Sequence, residues 1–232
     1  MNMPPNCQSS APKKSQFEGN SVVTSRARGW HSALKPVAPH RGKGSATVDP
    51  IRELKDIARI KGGLADNPRD LSLFVVGIHV GLRGSDLLAL RWADVLDDED
   101  IIRDRISVRE RKTGNTRHIA IHEKVRQTLN NWKIHAGDFV NANAYVWPNR
   151  TDGPLTIQRL HQLVNYWCST IELRGNFGTH TLRKTYGYHL RRLGYDVDLL
   201  MKVFGHSSSA VTLRYIGIEQ EEIDEANLRL VL

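Results

Sequence analysis

The sequence predicts a mainly α-helical domain with one small antiparallel β-sheet, an α+β arrangement. Two observations carry the prediction. Beyond residue 48 most of the chain repeats its apolar residues at helical spacing. A single stretch, RISVRERKTGNTRHIAIH at 105–122, instead alternates apolar and polar residues on both sides of a glycine-containing KTGN turn, the pattern of a β-hairpin. There is no internal repeat.

Taken in order, the helix signals begin at PIRELKDIARIKGG, where Asp49 is expected as N-cap and Pro50 as the first helical residue. NPRDLSLFVVGIHVGL is a second, buried helix starting near Asn67-Pro68. Gly81 and Gly84 bracket Arg83, and Ser85 is expected to cap a third helix, DLLALRW. After the hairpin come a helix at HEKVRQTLNNWKIH, a short strand or turn at AYVWPN, and a helix at TIQRLHQLVNYWCSTI. GTHTLRKTYGYHLRRLG, DVDLLMKVFGH and SSAVTLRYIG follow as three helices in a row, the last capped by the Ser207–Ser209 cluster.

Length and composition narrow the class. The 232 residues suffice for one sizeable domain plus an appendage, and 40% hydrophobic with 25% charged residues is ordinary for a soluble globular protein. The longest apolar run, Leu71 to Leu82, is too short to span a bilayer. The N-terminus has no apolar signal core, and Cys7 and Cys168 make neither a disulfide framework nor a metal spacing. A reducing, cytoplasmic setting is expected, with no cofactor and no metal.

The net charge of +8 points to a polyanionic partner. Residues 1–48 hold seven basic residues against Glu18 alone, a surplus of six, so only +2 remains for the other 184 residues. That segment, rich in Pro, Ser and Gly, is expected to be a mostly disordered basic arm. A solubilising tail would have the same composition.

Six residues stand out by type and position. Arg83 lies between a buried helix and a glycine, and Lys112 sits at the hairpin tip. His180 and Arg183 are three apart and so share a helix face, and His206 and Tyr215 flank the last short helix. Alone, each has a plainer reading: a helix-terminal cation, a solvated turn lysine, a polar helix face, a capping histidine, a core tyrosine. Their order is what singles them out.

That order resembles the tyrosine recombinases, the phage-integrase family. GLRGSDLLALRW is similar to the first arginine box, RKTG to the hairpin lysine, HTLRKTYG to the second box, and FGHSSSAVTLRY to the third box with its nucleophile. The likeness spans residues 49–218 and implies a DNA breaking-rejoining catalytic domain. It further implies that Tyr215 attacks a DNA phosphate, Arg83 and Arg183 clamp it, His180 and His206 hydrogen-bond it, and Lys112 protonates the leaving oxygen.

Elementary chemistry agrees. Guanidinium forks suit the charged oxygens of a phosphoryl transition state. A phenol needs a neighbouring base or cationic field to attack at neutral pH, and a leaving 5′-oxygen needs a proton. Asp86, three residues after Arg83, is expected to hold that arginine. The basic residues beside these motifs, Arg109, Arg111, Arg117, Lys184 and Arg214, are expected to contact DNA.

The implied partner is double-stranded DNA, bound by a homo-tetramer with accessory DNA-bending proteins. Many family members precede the catalytic domain with a helical DNA clamp. This chain resembles the short members that are little more than a catalytic domain, such as the fimbrial phase-switch recombinases; a fragment of a longer member is the alternative. Residues 219–232 carry a helical stripe of Ile223, Ala226, Leu230 and Val231, which the family likeness makes a segment for docking on a neighbouring protomer. Other readings of the residues are a type IB topoisomerase, a non-catalytic DNA-binding protein on the same fold, and a metal nuclease using DVLDDED at 94–100.

Overall fold

The computed structural model describes residues 47–112, 114–217, 224 and 227–230. The basic arm up to Ala46 lies outside them, as does most of the tail. Of the expected tail stripe only Leu230 is described, and it is exposed.

Nine named α-helices, a short 3-10 helix at Gly137–Phe139 and one two-stranded sheet are formed among the described residues. The helices are α1 (Leu54–Gly63), α2 (Pro68–Val80), α3 (Gly84–Leu87), α4 (Trp92–Val95), α5 (Glu123–Ala136), α6 (Ile157–Thr170), α7 (Thr179–Arg192), α8 (Val197–Phe204) and α9 (Ser209–Ile216). Strands β1 (Arg105–Arg109) and β2 (Thr116–Ala120) pair antiparallel, with Ile106 opposite Ile119 and Val108 opposite Arg117. Mainly helical with a small antiparallel sheet is thus the architecture found.

Helix α2 is the axis of the core. Asn67 caps it by accepting the Asp70 N–H, Pro68 occupies its first position, and Gly81 ends it in the left-handed conformation. Leu73, Phe74, Val75, Val76, Ile78 and Val80 are all buried on it, packed between α5 and α7. Four tryptophans, Trp92, Trp132, Trp147 and Trp167, fill the rest. Two of their indoles are placed by hydrogen bonds: Trp147 Nε1 donates to Ser72 Oγ at 2.8 Å and Trp132 Nε1 to the Val146 carbonyl at 2.7 Å.

A second, smaller core gathers the C-terminal helices. Tyr188 of α7, Leu200 and Phe204 of α8 and Ile216 of α9 are buried together, with Tyr215 packed against them. The approach is so close that a Cβ on Gly187 of α7 would stand 2.5 Å from the Phe204 ring and 2.7 Å from Ile216.

Three local expectations are corrected. Asp49 does not cap α1, which starts after Glu53. Asp49 instead exchanges backbone and side-chain hydrogen bonds with Asn176, and the Ile51 N–H donates to Thr185 Oγ1, so tertiary partners hold residues 49–53 extended. Ser85 lies inside α3, whose N-cap position is Arg83, and DLLALRW is not one helix. The chain breaks after α3 because the Leu90 carbonyl accepts from Val146 N and Arg91 bridges to Tyr145. Ser208 is the N-cap of α9 by position, but no serine side chain caps the helix; the Ser208 carbonyl accepts from Thr212 Oγ1.

Candidate active site

The site is built where the two cores meet, and its walls are element ends. Arg83 follows the left-handed Gly81 (φ 60°) and starts α3. Arg183 projects from the second turn of α7 and is 3% exposed. Both reach the C-terminal end of α8, where the last carbonyls have no N–H of their own helix to accept. Arg183 Nη2 donates to the Phe204 carbonyl at 2.9 Å and Arg83 Nη2 to the same oxygen at 3.3 Å. Arg183 Nη1 donates to the Gly81 carbonyl at 2.5 Å, which ties α7 back to the Arg83 turn.

Gly205, in the left-handed conformation (φ 64°), turns the chain after α8 and delivers His206. The His206 Nδ1 lies 3.1 Å from Thr212 Oγ1 on α9, and its ring centroid 5.2 Å from that of Tyr215. On the other side the Tyr215 hydroxyl is 3.2 Å from Nδ1 of His180, with the two rings perpendicular. Phe204 packs edge-on against Tyr215 at 5.3 Å and under the Arg183 guanidinium at 4.7 Å.

Electrostatics follow from this crowding of cations. Burial, and then the charges of Arg183, Lys184 and Arg83, hold the His180 pKa below the usual histidine value. His206 is lowered likewise, by burial and then Arg183, Arg83 and Lys112. Both imidazoles are therefore neutral at pH 7. Burial raises the Tyr215 phenol, and Arg183 and Arg83 pull it back only in part. Burial brings Arg183 down to about 10, still protonated at neutral pH.

Five of the six residues singled out by order, Arg83, His180, Arg183, His206 and Tyr215, thus converge on one spot. Lys112 is exposed on the hairpin turn, near enough for its charge to act on His206. Arg109, Arg111 and Arg214 are exposed. Lys184 is not on the surface: it is 6% exposed, with its Nζ 5.3 Å from the centre of the Tyr215 ring. Buried on α7, it faces the tyrosine rather than solvent.

Asp86 does not hold Arg83. Its Oδ1 accepts the Arg111 N–H at 3.1 Å, because α3 presents it to the hairpin turn. The acid that holds Arg83 is Glu110, at 2.8 Å, and Glu110 also pairs with Arg117 at 3.3 Å. Sequence reasoning missed it, although a signal was there. The alternation that turns Ile106 and Val108 inward also turns Glu110 inward, and a buried carboxylate requires a cation.

Two of the acids of 94–100 are engaged in local turns: Asp94 accepts the Arg91 N–H, and Asp97 accepts the N–H groups of Glu99 and Ile101. Among the described residues no group of three metal-ligating side chains comes together, and no helix is long and apolar enough to cross a membrane.

Comparison with known proteins then bears on this geometry. The phage integrase family pattern matches residues 48–222. Over 176 residues the chain is 34% identical to the probable integrase/recombinase YoeC of Bacillus subtilis (strain 168), covering 75% of this chain and 92% of YoeC. It is 23% identical over 167 residues to the tyrosine recombinase XerC of Pediococcus pentosaceus, covering 70% of this chain and 54% of XerC, so it spans about half the length of that relative. The crystal structure of XerA recombinase shares the fold with a TM-score of 0.65 at 18% identity, over 84% of this chain and 68% of XerA. XerH recombinase bound to palindromic difH substrate, a post-cleavage complex, does so at 0.63 and 18%, over 79% of this chain and 53% of XerH. Sequence and fold agree, and the chain belongs to the phage integrase family, the tyrosine recombinases.

Proposed function

We propose that this tyrosine recombinase cuts and rejoins double-stranded DNA at a specific site through a 3′-phosphotyrosine link on Tyr215, without metal or ATP. The observation that carries the reading is the Tyr215 hydroxyl, 3.2 Å from a neutral His180 and beside two arginines joined at one carbonyl. His180 Nδ1 takes the phenol proton as the oxygen attacks phosphorus. Arg83 and Arg183 hold the non-bridging oxygens while charge builds on them, and His206 adds a hydrogen bond. The bond from phosphorus to the 5′-oxygen breaks, and Lys112 gives that oxygen its proton. The new ester conserves the bond energy, so a 5′-hydroxyl can reverse the step.

The XerH likeness, seen with its DNA, supports DNA as the partner. Arg109, Arg111 and Arg214 are exposed cations flanking the site and serve the DNA backbone in this reading. Assembly as a tetramer on DNA, help from DNA-bending proteins, and residence with the nucleoid when bound belong to the same proposal. In it, residues 219–232 dock on a neighbouring protomer. A chain lacking them is expected to cleave yet assemble poorly in a gel-shift titration, and unchanged assembly would discard that role.

The test is covalent capture. The protein is mixed with sheared genomic DNA of its host in the presence of chelator and stopped with detergent, and the protein-linked DNA is sequenced, with Tyr215→Phe in parallel. One enriched short sequence, lost in Tyr215→Phe, is expected. Scattered adducts would favour a topoisomerase. An adduct in Tyr215→Phe would move the nucleophile elsewhere, and binding without any adduct by the unaltered chain would overturn the reaction.

A further inference from the structure

Glu110 is a buried acid of the site to which the chemistry above assigns no step. It stands at the end of β1, 5% exposed. Its two carboxylate oxygens are divided between two arginines: Oε2 accepts from Arg83 Nη1 at 2.8 Å and Oε1 from Arg117 Nη1 at 3.3 Å. Its backbone closes the hairpin turn, donating to the Asn115 carbonyl at 2.9 Å and accepting the Gly114 N–H at 2.8 Å. The next N–H, that of Arg111, donates to Asp86 on α3 at 3.1 Å.

The Arg83 segment and the lysine turn are therefore linked twice, in opposite senses. A guanidinium of the first meets a carboxylate of the second, and a backbone N–H of the second meets a carboxylate of the first. Past these links, a Cβ built on Gly114 would meet nothing within 4 Å. Lys112, exposed, directly follows the tied Glu110–Arg111 base and carries its charge on a flexible four-carbon stem. A proton donor on such a stem is only as well placed as the backbone that bears it.

We infer that Glu110 is a positioning residue that sets the Lys112 turn against Arg83, so that the proton donor for the leaving oxygen stands at a set place relative to the phosphate clamp. The inference rests on the roles given to Lys112 and Arg83 above. Arg83 keeps its second tie, to the Phe204 carbonyl, when the Glu110 link is cut. The loss therefore falls on the lysine side.

The experiment uses the full chain and a duplex bearing the captured site, made with either an ordinary scissile phosphodiester or a 5′-bridging phosphorothiolate. A thiolate leaves without needing a proton, so the sulfur duplex does not require Lys112. Glu110→Gln is expected to cleave the ordinary duplex about 10–100-fold more slowly than the unaltered chain, and the sulfur duplex within about threefold of it. Lys112→Ala, run alongside, shows the same pattern if it is the proton donor. Equal slowing of Glu110→Gln on both duplexes, or none on the ordinary one, overturns the inference. Failure of sulfur to rescue Lys112→Ala overturns the role of Lys112 and the inference with it, whereas absence of any wild-type adduct overturns the reaction itself. Amide exchange without DNA gives a second readout. In Glu110→Gln the 111–115 amides should exchange about tenfold faster while those of α2 stay unchanged. Unchanged turn exchange, or loosening of α2 as well, would count the residue as merely structural.

Discussion

Arg83 and Arg183, on separate elements, donate to one and the same acceptor, the carbonyl oxygen of Phe204. That oxygen ends α8, where helical carbonyls lack partners within the helix and the helix dipole is negative. The C-terminus of α8 thus gathers two guanidinium groups at one oxygen. The same α8 turn leads through Gly205 to His206, so one helix end positions three of the six residues.

Removing Arg183 tests that arrangement directly. Arg183→Ala is expected to slow covalent-adduct formation by at least about 10²–10³-fold, the cost of one missing preorganised donor. The assay is single-turnover cleavage of the captured site. Cleavage within tenfold of the unaltered chain would remove Arg183 from the clamp.

Gly187 tests the same geometry from behind. Its Cβ would collide with Phe204 and Ile216 at 2.5–2.7 Å, and α8 and α9 must shift to admit it. Gly187→Ala is expected to cost about 1–3 kcal/mol of stability as overpacking does. It should lower cleavage more than DNA binding, because the shift displaces the Phe204 carbonyl and Tyr215. Thermal melting and cleavage kinetics check both parts; full activity would show that the small core tolerates the methyl.

The pH dependence has a defined sign. In the proposed reaction His180 must be neutral to accept the Tyr215 proton, and its folded pKa is depressed. Cleavage is therefore expected to hold through pH 7 and fall only below the ordinary histidine range, near about 6.5. His180→Gln should lower the rate and abolish that limb. Stability moves the same way. His79, His180, His189 and His206 are all depressed by burial first, so the unfolded chain binds protons that the folded chain refuses. Folding stability is intact above about pH 6.5 and declines as pH falls toward the depressed folded values. Melting temperatures measured across that range check it, and a rise on acidification would contradict it.

The basic arm gives a prediction in solution. Deleting residues 1–45 is expected to flatten the dependence of DNA affinity on salt, since every phosphate that the shortened chain leaves unneutralised lowers the slope by about one. Fluorescence titrations between low and moderate salt measure the slope; an unchanged slope would make the arm a passive tail.

Much of the fold was legible because its signals are local. Asn67-Pro68 and Gly81 marked both ends of α2, and the alternation of Ile106, Val108, Ile119 and Ile121 around Gly114 marked the hairpin. Where local signals pointed elsewhere, long-range hydrogen bonds won: Asn176 and Thr185 kept Asp49–Ile51 out of α1, and Val146 stopped the helix after Leu87. The serines expected as caps, Ser85 and Ser208, make no side-chain cap: Ser85 lies inside α3, and Ser208 is the N-cap of α9 by position alone.

By itself the sequence determined the class of fold, the family, and which residue types stand in which order, because periodicity, caps and motif spacing are properties of neighbours in the chain. The tertiary structure alone decided that Glu110 rather than Asp86 holds Arg83, that Lys184 is buried at the Tyr215 ring, and that both arginines meet at the Phe204 carbonyl. Each of these joins residues far apart in sequence. Such pairings are selected by the need to match buried charge and cap helix ends once the elements have packed, and no local pattern encodes which partner will be within reach.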